Sequence, residues 1–263
     1  MPRANRHYIP GCVWHITHRC HKKEFLLKFA RDRRRWLKWL FEAKKRYGLS
    51  ILNYMATSNH IHLLVRDGVS EDTIARSIQL IAARTGQEFN QRKKRKGAFW
   101  EDRYHATAVE SDKHLVQCLV YIDLNMVRAG VVAHPSDWAF SGYNEIQAPR
   151  SRYALIDYDG LCETLGFRAM NDVAEACRGW VEASLKQESC TRDEKWTESI
   201  AVGREPFVRS VKKELGFRAK GRKVIGGDDT FILRESRLPY RGNFGDENGV
   251  LRPQNTYSWE DFA

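Results

Sequence analysis

At 263 residues with 42% hydrophobic side chains, the chain is long enough for one sizeable domain plus an appendage, or two small domains, and should bury a packed core. No run approaches the roughly 18 apolar residues of a membrane span, residues 1–15 (MPRANRHYIPGCVWH) lack a secretory apolar stretch, and Cys12, Cys20, Cys118, Cys162, Cys177 and Cys190 form no C-x-x-C pair; these features argue against a membrane protein, a disulfide scaffold and a zinc ribbon, and for a cytoplasmic protein with reduced thiols. The net charge of +11 is concentrated in residues 1–50, which hold 14 Lys and Arg against 3 Asp and Glu, and such a local excess points to a polyanion, most commonly nucleic acid.

In chain order, Val13-Trp14-His15-Ile16-Thr17-His18-Arg19 alternates apolar and polar residues and predicts a half-buried strand. Residues 31–47 place Trp36, Leu37, Leu40, Phe41, Ala43 and Tyr47 at helical spacing among Arg and Lys, which predicts a basic amphipathic helix stopped at Gly48. Leu49–Thr57 and His60–Arg66 read as two strands joined by Ser58-Asn59, a connection short enough for an antiparallel hairpin. A second helix fits residues 71–92, with Ile74, Ile78, Ile81, Ala82 and Phe89 mostly three or four apart, ending in the basic run Arg92-Lys93-Lys94-Arg95-Lys96. Tyr104–Val109 supplies a fourth strand, and a helix over 113–128 follows a Ser111-Asp112 cap and closes at Ala129-Gly130.

The order β-α-β-β-α-β-α predicts an α+β fold, a ferredoxin-like antiparallel sheet with helices on one face. Beyond His134-Pro135 the pattern weakens, although 172–188 and 205–216 look helical and 218–256 is rich in Arg, Gly, Asp and Asn. We therefore expect a catalytic domain over 1–145 and a mainly helical and irregular extension over 146–263 with little core of its own.

Four positions carry possible chemistry. His60 and His62 stand at i and i+2 of a predicted strand, so both imidazoles leave the same face while Ile61 and Leu63 leave the other, a geometry suited to one divalent ion. In the helix over 113–128, Tyr121 and Asn125 are one turn apart on one face. A phenol with a pKa near 10 is a poor nucleophile, and attack on a phosphodiester needs a nearby cation that polarises the phosphate and favours the phenolate.

Taken together, Trp14-His15-Ile16-Thr17, Asn59-His60-Ile61-His62-Leu63-Leu64, Trp100-Glu101-Asp102-Arg103-Tyr104-His105-Ala106-Thr107 and Tyr121-Ile122-Asp123-Leu124-Asn125-Met126-Val127-Arg128-Ala129-Gly130 resemble the HUH single-tyrosine transposases, IS200-like, and within them the REP-associated tyrosine transposases. The resemblance covers about residues 8–145. It implies His60 and His62 as the His-hydrophobic-His pair, Asn125 as the remaining metal ligand, Mg or Mn as cofactor and Tyr121 as nucleophile. The implied activity is cleavage and rejoining of single-stranded DNA beside a palindromic hairpin through a 5′-phosphotyrosine intermediate, in a cytoplasmic, nucleoid-associated protein expected as a monomer. Ser58 and Met126 stand where relatives usually carry proline. A catalytically silent hairpin-binding regulator, or an HUH nuclease of the replication or relaxase type, are the alternative functions.

Tyr104 is the rival nucleophile, better suited to packing or base stacking beside Trp100. His15, His18, Cys20 and His21 lack the spacing of a common zinc site, and strand alternation sends His15 and His18 to opposite faces, so they read as core, sheet-face or DNA-contact residues. Phosphate contacts are expected from Arg33, Arg34, Arg35 and Lys38 in the basic helix, from Arg92, Lys93, Lys94 and Arg95, and from Arg103 and Arg128 in the motif blocks. The extension is expected to clamp the hairpin or cover the active site.

Overall fold

The computed structural model describes residues 9–66, 70–187 and 193–235; Cys190, the first eight residues of the basic stretch and the extension beyond residue 235 lie outside them. The elements run β1 (Val13–Arg19), α1 (Ala30–Tyr47), β2 (Ser50–Ala56), β3 (His60–Arg66), α2 (Thr73–Lys93), β4 (His105–Val109), α3 (Lys113–Asp123), α4 (Asn125–Arg128), α5 (Gly142–Gln147), α6 (Tyr158–Leu165), α7 (Met170–Lys186), α8 (Lys195–Glu198), β5 (Ala201–Gly203), α9 (Glu205–Leu215), β6 (Arg222–Gly227) and β7 (Thr230–Glu235). Among the described residues the strands make one seven-stranded sheet in the order β2-β3-β1-β4-β5-β7-β6, antiparallel except for the β4–β5 pair.

The ferredoxin-like core is present. α1 and α2 pack on each other and bury Trp36, Leu40, Ile78 and Ile81, and the Trp100 indole, stacked on His18 of β1, donates to the Ala82 carbonyl of α2. α3 lies on the other face, where Tyr121 meets His15 and His62. The two sides of β1 thus serve different purposes: His18 faces the helical layer and His15 faces α3. β2 is buried at every position because elements cover both of its faces, and its polar residues are paired, Ser50 with Asp157 and Asn53 with Asp123. Gly48 ends α1 with φ 68°, a left-handed conformation that glycine reaches without Cβ strain.

The extension departs from expectation. Its helical part is there as α6 to α9, but it also adds β5, β6 and β7 to the central sheet, and Trp196, Val202, Val208, Val211 and Leu233 belong to the main core. The extension, expected to have little core of its own, contributes these residues to the core of the sheet it extends, and α5 spans residue 145. The Ser111-Asp112 cap also differs: Asp112 sits at φ 72° and its side chain makes no capping hydrogen bond.

Candidate metal and nucleophile site

The β2–β3 turn orients the first histidine. Thr57 donates its hydroxyl hydrogen to the His60 carbonyl at 2.7 Å, so its oxygen is left to accept at 3.0 Å from His60 Nδ1–H, which also reaches Asn59 Oδ1 at 2.7 Å. With the proton on Nδ1, the lone pair of His60 sits on Nε2. Alternation along β3 brings His62 to the same side, with the two ring centroids 4.9 Å apart.

Behind His62 stands His15, fully buried, with its Nε2 at 2.9 Å from His62 Nδ1 and its own Nδ1 at 2.9 Å from the Trp196 carbonyl. Burial drives His15 down to about 3 despite the opposing effect of the Trp196 carbonyl, with His105 and His60 adding to the fall. His62 is driven well below the usual histidine range, first by burial and then by His60, His15, Arg128 and Arg19. Both rings are therefore neutral near pH 7, and neutral imidazole is the form that ligates metal.

α3 and α4 bring in the remaining groups. Tyr121 packs its ring 5.9 Å from that of His62 and 6.1 Å from that of Trp196. The helix hydrogen bonding carries on from α3 into α4, Leu124 N–H to Val120 O at 2.9 Å and Arg128 N–H to Leu124 O at 2.9 Å, so Asn125 stays one turn from Tyr121. The Asn125 amide lies 2.9 Å from His62 Nε2. Arg128 folds back so that its guanidinium stands 4.1 Å from the centre of the Tyr121 ring and donates to the Tyr121 carbonyl. The Asn53–Asp123 hydrogen bond, 2.9 Å long and buried, pins this helix to β2.

These residues open on a cleft of about 410 Å³ lined by His60, His62, Tyr121, Asn125 and Arg128, with Arg19, Glu101, Asp102 and Arg103 along its walls. Two neutral imidazoles and an amide are donors that a divalent ion can take. Adjacent ligands of an octahedral ion at about 2.1 Å are about 3 Å apart, and turning the Asn125 amide puts Oδ1 at the 2.9 Å position beside His62 Nε2. Among the described residues no group of three or more His, Cys, Asp or Glu gathers as a metal site.

Residues 8–125 match the family model described as transposase IS200-like. A solved structure described as the REP-associated tyrosine transposase bound to a REP hairpin is similar at a TM-score of 0.48 and 21% identity, over 57% of this chain and 87% of that one. No curated protein shows significant similarity to the chain.

The expected phosphate-binding residues are unevenly placed. Arg103 and Arg128 line the cleft, joined by Arg19, which the sequence reading did not single out. Arg33 does not serve as a surface contact: it is buried, its Nη1 donates to the Leu27 and Lys28 carbonyls at 2.8 and 2.7 Å, and its guanidinium lies 4.7 Å from the Trp138 ring and 4.5 Å from the Phe140 ring. Arg34 and Lys38 are exposed, Arg35 pairs with Glu88 at 3.2 Å and Arg92 pairs with Asp32. Lys93 stands over Phe29, Lys94 ends α2 in a left-handed conformation, and Arg95 donates to the Ala98 carbonyl at 2.9 Å. None of the α1 and α2 cations lines the cleft. Tyr104 is buried and is also absent from the cleft lining. His15 is buried, as a core reading of it had it, but its contact with Trp196, which spans 181 positions, was not foreseen, nor was Arg19, which only strand register brings beside His60.

Proposed function

We propose that the protein is a site-specific single-stranded DNA endonuclease and strand transferase, with Tyr121 as nucleophile and His60, His62 and Asn125 as the ligands of Mg or Mn. The observation that carries this reading is the meeting, in one cleft, of the Tyr121 ring, two imidazoles and the Asn125 amide 2.9 Å from His62 Nε2. Bound there, the divalent ion supplies charge that polarises a phosphodiester and favours the phenolate. The palindromic, REP-type hairpin as substrate follows the sequence resemblance of the four motif blocks. Regulation by a silent relative would need no such convergence of ligand and nucleophile.

In this reading Tyr121 Oη attacks the phosphorus, its phenolic proton passes to solvent, and a phosphotyrosine bond to the 5′ phosphate forms as the bond to the 3′ oxygen breaks. The 3′ oxygen takes up a proton and leaves as a hydroxyl. Arg128, already against the Tyr121 ring, supports negative charge on the phenolate and the phosphate. Arg19 and Arg103, which also line the cleft, supply positive charge to hold the strand. Because the phosphotyrosine ester replaces one phosphoester by another, a 3′ hydroxyl reverses the step without a nucleotide cofactor.

The test is cleavage of a 3′-labelled hairpin oligonucleotide with Mn. A labelled strand retained on the protein, together with a released fragment whose 3′ hydroxyl a polymerase extends, is expected. Cleavage that releases both fragments free of protein, or binding without cleavage, would contradict the reading.

A further inference from the structure

The buried pair His15 and His62 has no place in the chemistry above beyond the ligand role of His62, yet its hydrogen bonds fix where the protons lie. A backbone carbonyl only accepts, so the 2.9 Å contact between His15 Nδ1 and Trp196 O places the proton of His15 on Nδ1. His15 then offers a lone pair from Nε2, and the 2.9 Å contact to His62 Nδ1 requires His62 to donate from Nδ1. The lone pair of His62 is consequently on Nε2, the atom beside Asn125. The opposite tautomer of His62 would oppose two lone pairs at 2.9 Å with no proton between them. The two rings lie within 5° of parallel, with centroids 5.1 Å apart, which is compatible with an in-plane bond between imidazoles, and both are buried.

We propose that His15 is a positioning residue that, anchored by the Trp196 carbonyl, holds His62 in the tautomer and orientation that present Nε2 to the metal. The relay starts in the C-terminal extension and ends in the cleft, which couples the extension to metal binding rather than to DNA contact alone. Trp196 is held in place: its ring is buried beside Tyr121, and the segment that follows it is tied to β4 by the Thr107 hydroxyl, which donates to the Ser199 carbonyl at 2.6 Å. Partners of this kind set ligand basicity and orientation, and their loss typically lowers metal affinity about 10–100-fold.

The inference rests on His60, His62 and Asn125 being the metal ligands, and its test separates the two. Long-range ¹H–¹⁵N correlation on the metal-free full chain at pH 7 is expected to show both His15 and His62 protonated on Nδ1, a signature that packing alone does not produce. Mn titration by calorimetry is expected to show affinity falling about 10–100-fold in His15→Phe. His15→Gln, whose amide oxygen can accept from His62 Nδ1–H, should recover part of that loss. Hairpin binding without metal should stay within about twofold of wild type in both variants. His62 protonated on Nε2 in the wild type, or wild-type Mn affinity in a folded His15→Phe, would overturn the relay. If His15→Phe does not fold, the wild-type tautomer and the His15→Gln titration decide. Failure of the wild type to bind Mn would instead sink the metal reading, whatever the tautomer.

Discussion

Replacing Arg33 by methionine separates a basic residue that builds the fold from one that grips DNA. The side chain is buried, donates two charge-assisted hydrogen bonds to the Leu27 and Lys28 carbonyls, and lies against the Trp138 and Phe140 rings. Leaving those carbonyls unsatisfied costs about 1–3 kcal/mol and the lost ring contacts about 1 kcal/mol more, while methionine keeps most of the apolar contact, so a loss of about 3 kcal/mol is expected. For a chain of this size that corresponds to a fall of roughly 6–12 °C in Tm. The DNA term should be unaffected. Each phosphate contact to a single strand contributes about −0.7 to the slope of log affinity against log salt, so Arg33→Met should leave the slope unchanged, whereas Arg103→Ala in the cleft wall should reduce its magnitude by about 0.7. Thermal melting and fluorescence anisotropy with a labelled hairpin between 50 and 200 mM salt, as suggested by the range over which such contacts are felt, measure both. An Arg33→Met protein with wild-type Tm and a reduced salt slope would refute the reasoning.

The other expectations concern the rival nucleophile, a capping carboxylate and the thiols. Tyr104→Phe should cleave the hairpin within about twofold of wild type, since Tyr104 is buried away from the cleft; loss of the protein–DNA adduct in this variant alone would reassign the nucleophile. Burial raises the Asp157 carboxyl, but the Ser50 hydroxyl, the Gly160 N–H, Arg66 and Lys44 outweigh it and hold it below the usual carboxylate range. A carboxyl lowered in the folded state contributes stability above its unfolded pKa of about 3.9 and loses it as pH falls through the folded value, so Asp157→Asn should cost about 1 kcal/mol in urea unfolding at pH 7, and the cost should shrink progressively as pH falls below about 3.9; a cost that does not change with pH would contradict this. Cys20, whose thiol burial pushes up to about 12, and Cys118 and Cys177, also raised by burial, should resist alkylation in the native protein when modified peptides are mapped by mass spectrometry, and rapid labelling of any of the three would show that these sites open.

The strands and helices up to residue 130 were legible because their periods are clean: His60–Arg66 matches its strand end for end, and Gly48 marks the stop of α1. The β6–β7 hairpin was not. Its signal is the pair of runs Val224-Ile225 and Phe231-Ile232-Leu233 around Gly226-Gly227-Asp228-Asp229, and the surrounding Arg, Gly and Asp content masked it. β5 has only three residues and acquires its identity from β4 and β7, which no local pattern reports. Arg33 could have been read correctly: it lies three residues before Trp36 and seven before Leu40, on the apolar stripe of α1, so its position outweighs its charge. Periodicity placed His60 with His62 and Tyr121 with Asn125, the family resemblance implied that the two pairs share a site, and the four line one cleft. His15 and Trp196 meet only because β5 pairs with β4 and draws α8 against the sheet, a long-range event that sequence spacing cannot express.

The central claim is that Tyr121 forms a covalent bond to DNA in a metal-dependent step. The most direct measurement is mass spectrometry of the peptide containing Tyr121 after incubation with a hairpin oligonucleotide and Mn, followed by denaturation, nuclease digestion and proteolysis. A 5′-phosphonucleotide on Tyr121, present in the wild type and absent in Tyr121→Phe, in His60→Ala and in chelator, is the expected result. A modified residue other than Tyr121, or an equal yield in chelator, would contradict the account.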